Sequence, residues 1–344
     1  MIAALQGVVF YPVQGDTAVN SAIVEQYGVW AYPTFVTLNQ HGDPIQRSLG
    51  YGDAAGWSAW LSGVKADPIS LAERMQRFER EPGFRDAVAL GQTALSENHA
   101  VEAEGYFQRA MELDPQAAAK EGIPVDLVSA AIQGLGTGDI TFDHVRQVTF
   151  DLLQSERTDP TQVLKICNYI LRNQENFDGE TLSQILRMAQ PRIAPLEATA
   201  AEDEGIRNRL QTFRIEYALH VENDPERALE LKRPTLPAGW ESDPEELNGF
   251  AWWCFEREIN LEEAERLGRQ AVELVPAGPL QANILDTVAQ IVYLRGDAEE
   301  AAALIRRALE LDPESEYLQQ QLEKFSSPDT DPASGPLPGT SNAS

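Results

Sequence analysis

Two phrases decide how this chain is read: Arg109-Ala110-Met111-Glu112-Leu113-Asp114-Pro115 and Arg307-Ala308-Leu309-Glu310-Leu311-Asp312-Pro313. They differ only where Met111 stands against Leu309. Each closes a stretch of helical periodicity. Its Asp-Pro pair ends a helix, because proline has no N–H to donate and restricts the residue before it. Upstream of the first phrase lie Ala87, Leu90, Gly91 and Ala94, then Ala103, Phe107 and Ala110. Upstream of the second lie Leu285, Val288, Ala289 and Val292, then Ala301, Ile305 and Ala308. Steps of three and four put each set on one helix face. Asn98-His99 and Gly296-Asp297 supply the turns between paired helices. Each phrase therefore closes a helical hairpin. A third hairpin is spelled by Asn248, Ala251, Trp252 and Phe255, then Ala264, Ala271 and Pro276. Self-similarity of this kind marks an array of repeats.

On these residues, the units at 84–117, 245–278 and 282–315 resemble tetratricopeptide repeats. Leu90-Gly91 lets two helices approach closely, with Ala103 and Ala110 at their crossing. The stretch 116–244 matches poorly, but Val125–Leu135, Val145–Leu153, Val163–Leu171, Leu182–Met188 and Ile206–Val221 have helical spacing. Pro225–Leu229 resembles the start of another second helix. These read as degenerate hairpins continuing one solenoid over 84–325, since each repeat needs neighbours to bury its faces. Residues 67–83 read as a linker or helix, and the proline- and serine-rich 326–344 as a disordered tail.

The resemblance also implies a concave groove lined by one stripe of each first helix. That stripe is Arg85, Val88, Gln92 and Leu95 in the first unit, and Glu246, Gly249, Trp253 and Glu256 in the second. In the third it is Asn283, Asp286, Gln290 and Tyr293. Some members of the family clamp an acidic C-terminus with Lys, Arg and Asn; that set is missing here. An acidic and aromatic stripe favours a basic or aromatic peptide.

The first sixty-odd residues differ in character. Residues 8–13, Val-Val-Phe-Tyr-Pro-Val, read as a short buried strand, and Val19–Tyr27 as a helix stopped by Gly28. Thr34–Asn39 alternates as a strand does, with Ile45–Leu49 as hairpin partner across His41-Gly42-Asp43-Pro44. Ala54–Val64 is a helix with Trp57, Trp60 and Leu61 on one face. The order is carried by Tyr27-Gly28-Val29-Trp30-Ala31-Tyr32-Pro33-Thr34-Phe35, Gly42 and Gly50-Tyr51. It resembles the C-terminal two-thirds of the thioredoxin fold, as a partial domain over 1–66. That resemblance implies a cis bond before Pro33.

The family's Cys-x-x-Cys has no counterpart, because the cysteines are Cys167 and Cys254. Thiol exchange needs an activated thiolate and a resolving partner, so Pro33 carries over only as a structural or binding residue. In the thioredoxin sheet, a further strand lies between those matched by residues 8–13 and 34–39. The expectation is that chain carrying it precedes Met1, or that the remnant has another use.

Composition narrows the function classes. With 27 Lys+Arg against 54 Asp+Glu, the formal charge of −27 excludes a nucleic-acid binder, which needs a basic face. It also excludes adhesion to an anionic membrane by charge, and no apolar run is long enough for a membrane span. Hydrophobic residues at 43% argue against bulk disorder. No histidine is spaced as a metal ligand, and no metal or other cofactor is implied.

Cys167 and Cys254 read as small core residues. The carboxylate pairs Glu262-Glu263, Glu299-Glu300 and Asp203-Glu204 read as solvated helix faces, and Gly134-x-Gly136-x-Gly138 as a loop between helices. The fold class is mainly α, a tetratricopeptide-like solenoid preceded by a small incomplete α/β thioredoxin-like domain. The expected function is a non-catalytic scaffold binding a protein or peptide. The alternative is the C-terminal part of an exported thioredoxin-fold oxidoreductase or chaperone whose active-site segment lies upstream. Location is cytoplasmic as the chain stands, and periplasmic or secreted if a leader precedes it.

Overall fold

The computed structural model describes residues 7–15, 17–50 and 54–326. Two compact units divide the chain, Met1–Asp224 and Pro225–Ser344. The tail reading of 326–344, beyond Ser326 itself, lies outside the described residues, as do Tyr51 and Gly52.

The first unit opens with α1 (Ser21–Gln26), then β1 (Thr34–Leu38) and β2 (Pro44–Leu49), then α2 (Ala54–Ala66). The strands pair antiparallel, Thr34 opposite Leu49, with a bulge between Thr37 and Leu38. Gly42 makes the turn with φ +88°, a conformation that costs glycine little. Phe35 of β1 meets the Trp57 ring of α2 edge-on at 4.2 Å. The Tyr32–Pro33 peptide bond is cis. Residues 8–13 correct the expectation of a buried strand: Val9, Phe10 and Tyr11 are 94%, 65% and 78% exposed, and the segment forms no strand. A strand exists only by hydrogen bonding to a neighbour, and among the described residues β1 pairs with β2 alone.

Helices follow: α3 (Leu71–Arg80), α4 (Phe84–Ser96), α5 (Ala100–Leu113), α6 (Pro115–Glu121) and α7 (Ile123–Thr137). Then come α8 (Phe142–Gln154), α9 (Pro160–Arg172), α10 (Gly179–Ile193) and α11 (Glu204–Tyr217). Helices α4, α7, α9 and α11 are successive neighbours in one layer, and α5, α8 and α10 pack against them as a second. Five of these helices overlap the five weakly patterned stretches of 116–244. Four of the five starts are fixed by a side-chain cap: Thr141, Asp159, Asp178 and Asp203 each accept the backbone N–H three residues on, whereas α7 follows Gly122 without one.

The stretch 67–83 contains α3, seated by ions. Arg74 donates to Asp86 at 2.7 Å and Asp67 at 3.1 Å, and Arg77 donates to both carboxylates. Gly134 and Gly136 correct another expectation, for they lie inside α7 rather than in a loop. A Cβ on Gly134 would come within 2.5 Å of Ile140, so the helix needs glycine where that side chain crosses it.

The second unit comprises α12 (Pro225–Lys232), α13 (Pro244–Glu256), α14 (Leu261–Leu274), α15 (Pro279–Leu294), α16 (Ala298–Leu311) and α17 (Glu316–Ser326). Helices α13–α14 and α15–α16 form hairpins, and α17 packs on the second. Ala251, Ala264 and Ala271 are fully buried between α13 and α14, and Ala289, Ala301 and Ala308 between α15 and α16. Small side chains let the axes approach, and leucine, isoleucine and phenylalanine fill the remaining volume.

Candidate functional site

Helix α13 starts because Asp243 accepts the N–H groups of Glu245 and Glu246, with Pro244 at its first position. Leu247, Phe250, Ala251, Cys254 and Phe255 form its buried face. The opposite stripe is left on the rim: Glu246 half-buried, Gly249 and Glu256 exposed, and Trp253 half-buried. Asn283 at the start of α15 is exposed beside it, within 3.5 Å of Asn248.

The surroundings of Trp253 differ from the acidic groove expected. Its ring stacks on Phe250 at 5.9 Å, the Lys232 ammonium lies 5.6 Å from its centroid and the Arg257 guanidinium 5.0 Å. Arg233 lies over Phe250 at 5.4 Å and pairs with Glu263 at 2.6 Å. Arg257 also faces Glu256 at 3.4 Å. Cations favour the negative face of an aromatic ring, so Trp253 already has cationic neighbours from its own chain. The signal was adjacent, since Lys232-Arg233 is a basic pair in an otherwise acidic stretch.

The third-unit stripe is placed differently from an open groove. Asn283 is exposed, but Asp286, Gln290 and Tyr293 are 7%, 2% and 3% exposed. Helix α17 covers them. Tyr317 donates to Asp286 at 3.1 Å, Gln290 donates to Gln321 at 2.9 Å, and the Tyr293 and Phe325 rings stack at 4.5 Å. Burial pushes the Asp286 carboxyl up to about 6, against hydrogen bonds from Tyr317 and Gln290 and the charge of Lys324. Burial likewise lowers Lys324, with Asp286 opposing. The unread signal is Tyr317-x3-Gln321-x3-Phe325, one face of a further helix.

The first-unit stripe is also covered by its own chain. Gln46 of β2 donates to Gln92 at 2.9 Å, Arg47 pairs with Glu97 at 2.7 Å, and the Trp30 indole donates to the Ser96 carbonyl at 2.5 Å. Val88 is buried, Arg85 is exposed, and Leu95 accepts from Gln133 through its carbonyl. Gln92 further bonds Asp126, whose carboxyl desolvation pushes up to about 7.

Cys167 and Cys254 are both buried free thiols, one in each unit, and burial pushes each up to about 12, far from a reactive thiolate. Of the carboxylate pairs, Glu263 holds Arg233 and Asn260, Glu300 holds Arg269, and Asp203 caps α11. Among the described residues no group of three His, Cys, Asp or Glu side chains is placed to hold a metal ion, and no helix is long and apolar enough to cross a membrane. Compared with models of known protein families the chain matches none, and no curated protein matches it.

Proposed function

We propose that this protein is a non-catalytic interaction scaffold whose tetratricopeptide-like hairpins present a rim to a protein or peptide partner. The carrying observation is the α13 stripe, where Trp253 is half-buried between cations while Gly249, Glu256 and Asn283 stay exposed beside it. Half-buried tryptophan in a polar surround is the side-chain type that most often dominates binding energy. Lys232 and Arg257 add charge of the opposite sign to Glu246 and Glu256, so the rim suits a partner of mixed charge rather than a purely basic one.

The test is photo-crosslinking in the cell of origin, with the cross-linker at Glu256 and, as control, at exposed Arg306 on α16. A discrete adduct at 256 but not at 306, weakened by Trp253→Ala, supports the rim. Equal labelling at both sites, or indifference to Trp253→Ala, removes it.

A second reading draws on the order α1, β1, β2, α2, which resembles part of a thioredoxin-like arrangement without its strand at 8–13. It makes the chain part of a thiol oxidoreductase or chaperone. For the chain as it stands, insulin disulfides are expected to be reduced no faster than the background; turnover lost on Cys167→Ser or Cys254→Ser would reverse the non-catalytic reading.

A further inference from the structure

We propose that the inward face of α15 is a helix-binding site, filled here by the chain's own α17, that accepts in trans an amphipathic helix presenting a tyrosine, a carboxamide and an aromatic ring at successive four-residue steps.

The contact is register-specific. On α15, Asp286, Gln290 and Tyr293 lie about one turn apart; on α17, Tyr317, Gln321 and Phe325 do the same. The Asp286 carboxylate meets the Tyr317 phenol at 3.1 Å, the Gln290 carboxamide meets that of Gln321 at 2.9 Å and the Tyr317 hydroxyl at 3.4 Å, and ring meets ring at 4.5 Å. Lys324 adds a cation 5.5 Å from the Tyr293 centroid. Leu318 and Phe325, both buried, supply the apolar part. A helix that merely covered apolar surface would need only side chains of the latter kind. Here a slip of one turn would bury Asp286 or Gln290 without a partner, which selects one sequence pattern over others.

The same polarity makes the seat exchangeable. The hairpin α15–α16 has its own interior, with Ala289, Val292, Ala301, Ile305 and Ala308 buried in one apolar cluster. Helix α17 joins it through the short Asp312–Ser315 link. When α17 leaves, water reaches Asp286 and Lys324, whose charged forms burial disfavours, and this offsets part of the cost of exposing Leu318 and Phe325. Helix α17 also packs along α16, so a competing helix regains these contacts when it carries apolar counterparts of Leu318 and Phe325 beside the polar face.

The site stands apart from the α13 rim, so Trp253→Ala is expected to leave it unchanged. Two measurements on the full chain test it. In hydrogen exchange of the unmodified protein, α17 amides are expected to open at least about tenfold more often than α15 amides. A labelled peptide of sequence Glu316–Ser326 is expected to bind the Tyr317→Ala/Phe325→Ala chain at least tenfold more tightly than the unmodified chain, and a scrambled peptide to bind neither. Exchange of α17 in step with α15 and α16 overturns the proposal, and does so even if the double variant fails to fold. Equal binding of native and scrambled peptides overturns it as well.

Discussion

The hairpins α4–α5 and α15–α16 end on nearly the same phrase, and their residues correspond position by position, yet different neighbours cover their inner helices. On α4 the cover is a β-hairpin anchored by an ion pair, Arg47 to Glu97, and by Gln46 on Gln92. On α15 the cover is a helix held by a phenol, two carboxamides and a ring stack. The position that matches Gln92 is Gln290, so the same side chain meets a strand in one place and a helix in the other. The repeat motif fixes the hairpin; it does not fix what lies on it.

Inside the hairpins the contrast is one of compensating volumes. Gly91 and Phe107 in the first correspond to Ala289 and Ile305 in the second. A Cβ on Gly91 would lie 2.6 Å from the Phe107 ring, so the larger residue is allowed only by the missing methyl. The largest expected effect is Phe107→Ala, a loss of about 3–5 kcal/mol in urea unfolding from a fully buried ring. A loss below about 1 kcal/mol would mean that the crossing is not tightly packed.

Next comes pH. Asp286 is pushed up to about 6 from 3.8, so the folded second unit holds a proton that the unfolded chain releases. Its contribution is fully present below pH 3.8 and is lost as pH rises through about 6, a change of roughly 3 kcal/mol. Asp286→Asn is expected to reduce that slope in melts monitored between pH 4 and 7, leaving the share of the buried Asp126 in the first unit. A slope unchanged by the substitution would place the titration elsewhere.

Gly91→Ala is expected to cost about 1–3 kcal/mol by overpacking against Phe107. Adding Phe107→Ile, which rebuilds the α15–α16 pair of residues, should return much of that loss in a double-mutant cycle. Additivity of the two changes would break the compensation argument. The smallest effect concerns the second helices. Asp297 caps α16 by accepting the Glu300 N–H at 2.9 Å, whereas His99 makes no such bond at the start of α5. Asp297→Ala should cost about 1 kcal/mol and His99→Ala almost nothing in thermal melts.

How far the sequence was legible depends on the range of the forces involved. The three hairpins could be read because 3.6-residue periodicity, Asp-Pro stops and small residues at crossings act within about thirty residues. The α1, β1, β2, α2 order was readable for the same reason. Residues 8–13 misled because an apolar segment becomes a strand only beside another, and among the described residues none pairs with Val9 to Tyr11, which are exposed. Asp286, Gln290 and Tyr293 misled because the inner stripe of a repeat is open only until something lies on it. The cations at Trp253 are Lys232, from the end of α12, and Arg257, just past the end of α13; the basic pair Lys232-Arg233 is visible in the sequence, but its approach to a ring farther along the chain is not.

The sequence by itself determined the three helical hairpins and their apolar faces, and that the chain is mainly α with a small α/β start. Those choices rest on backbone hydrogen bonding and side-chain periodicity, which are local. Only the tertiary structure decided which inner faces remain exposed, that β2 lies on α4 and α17 on α15, and that Trp253 sits among cations. Burial and charge depend on residues distant in sequence arriving at one place, and no local spacing encodes that arrival.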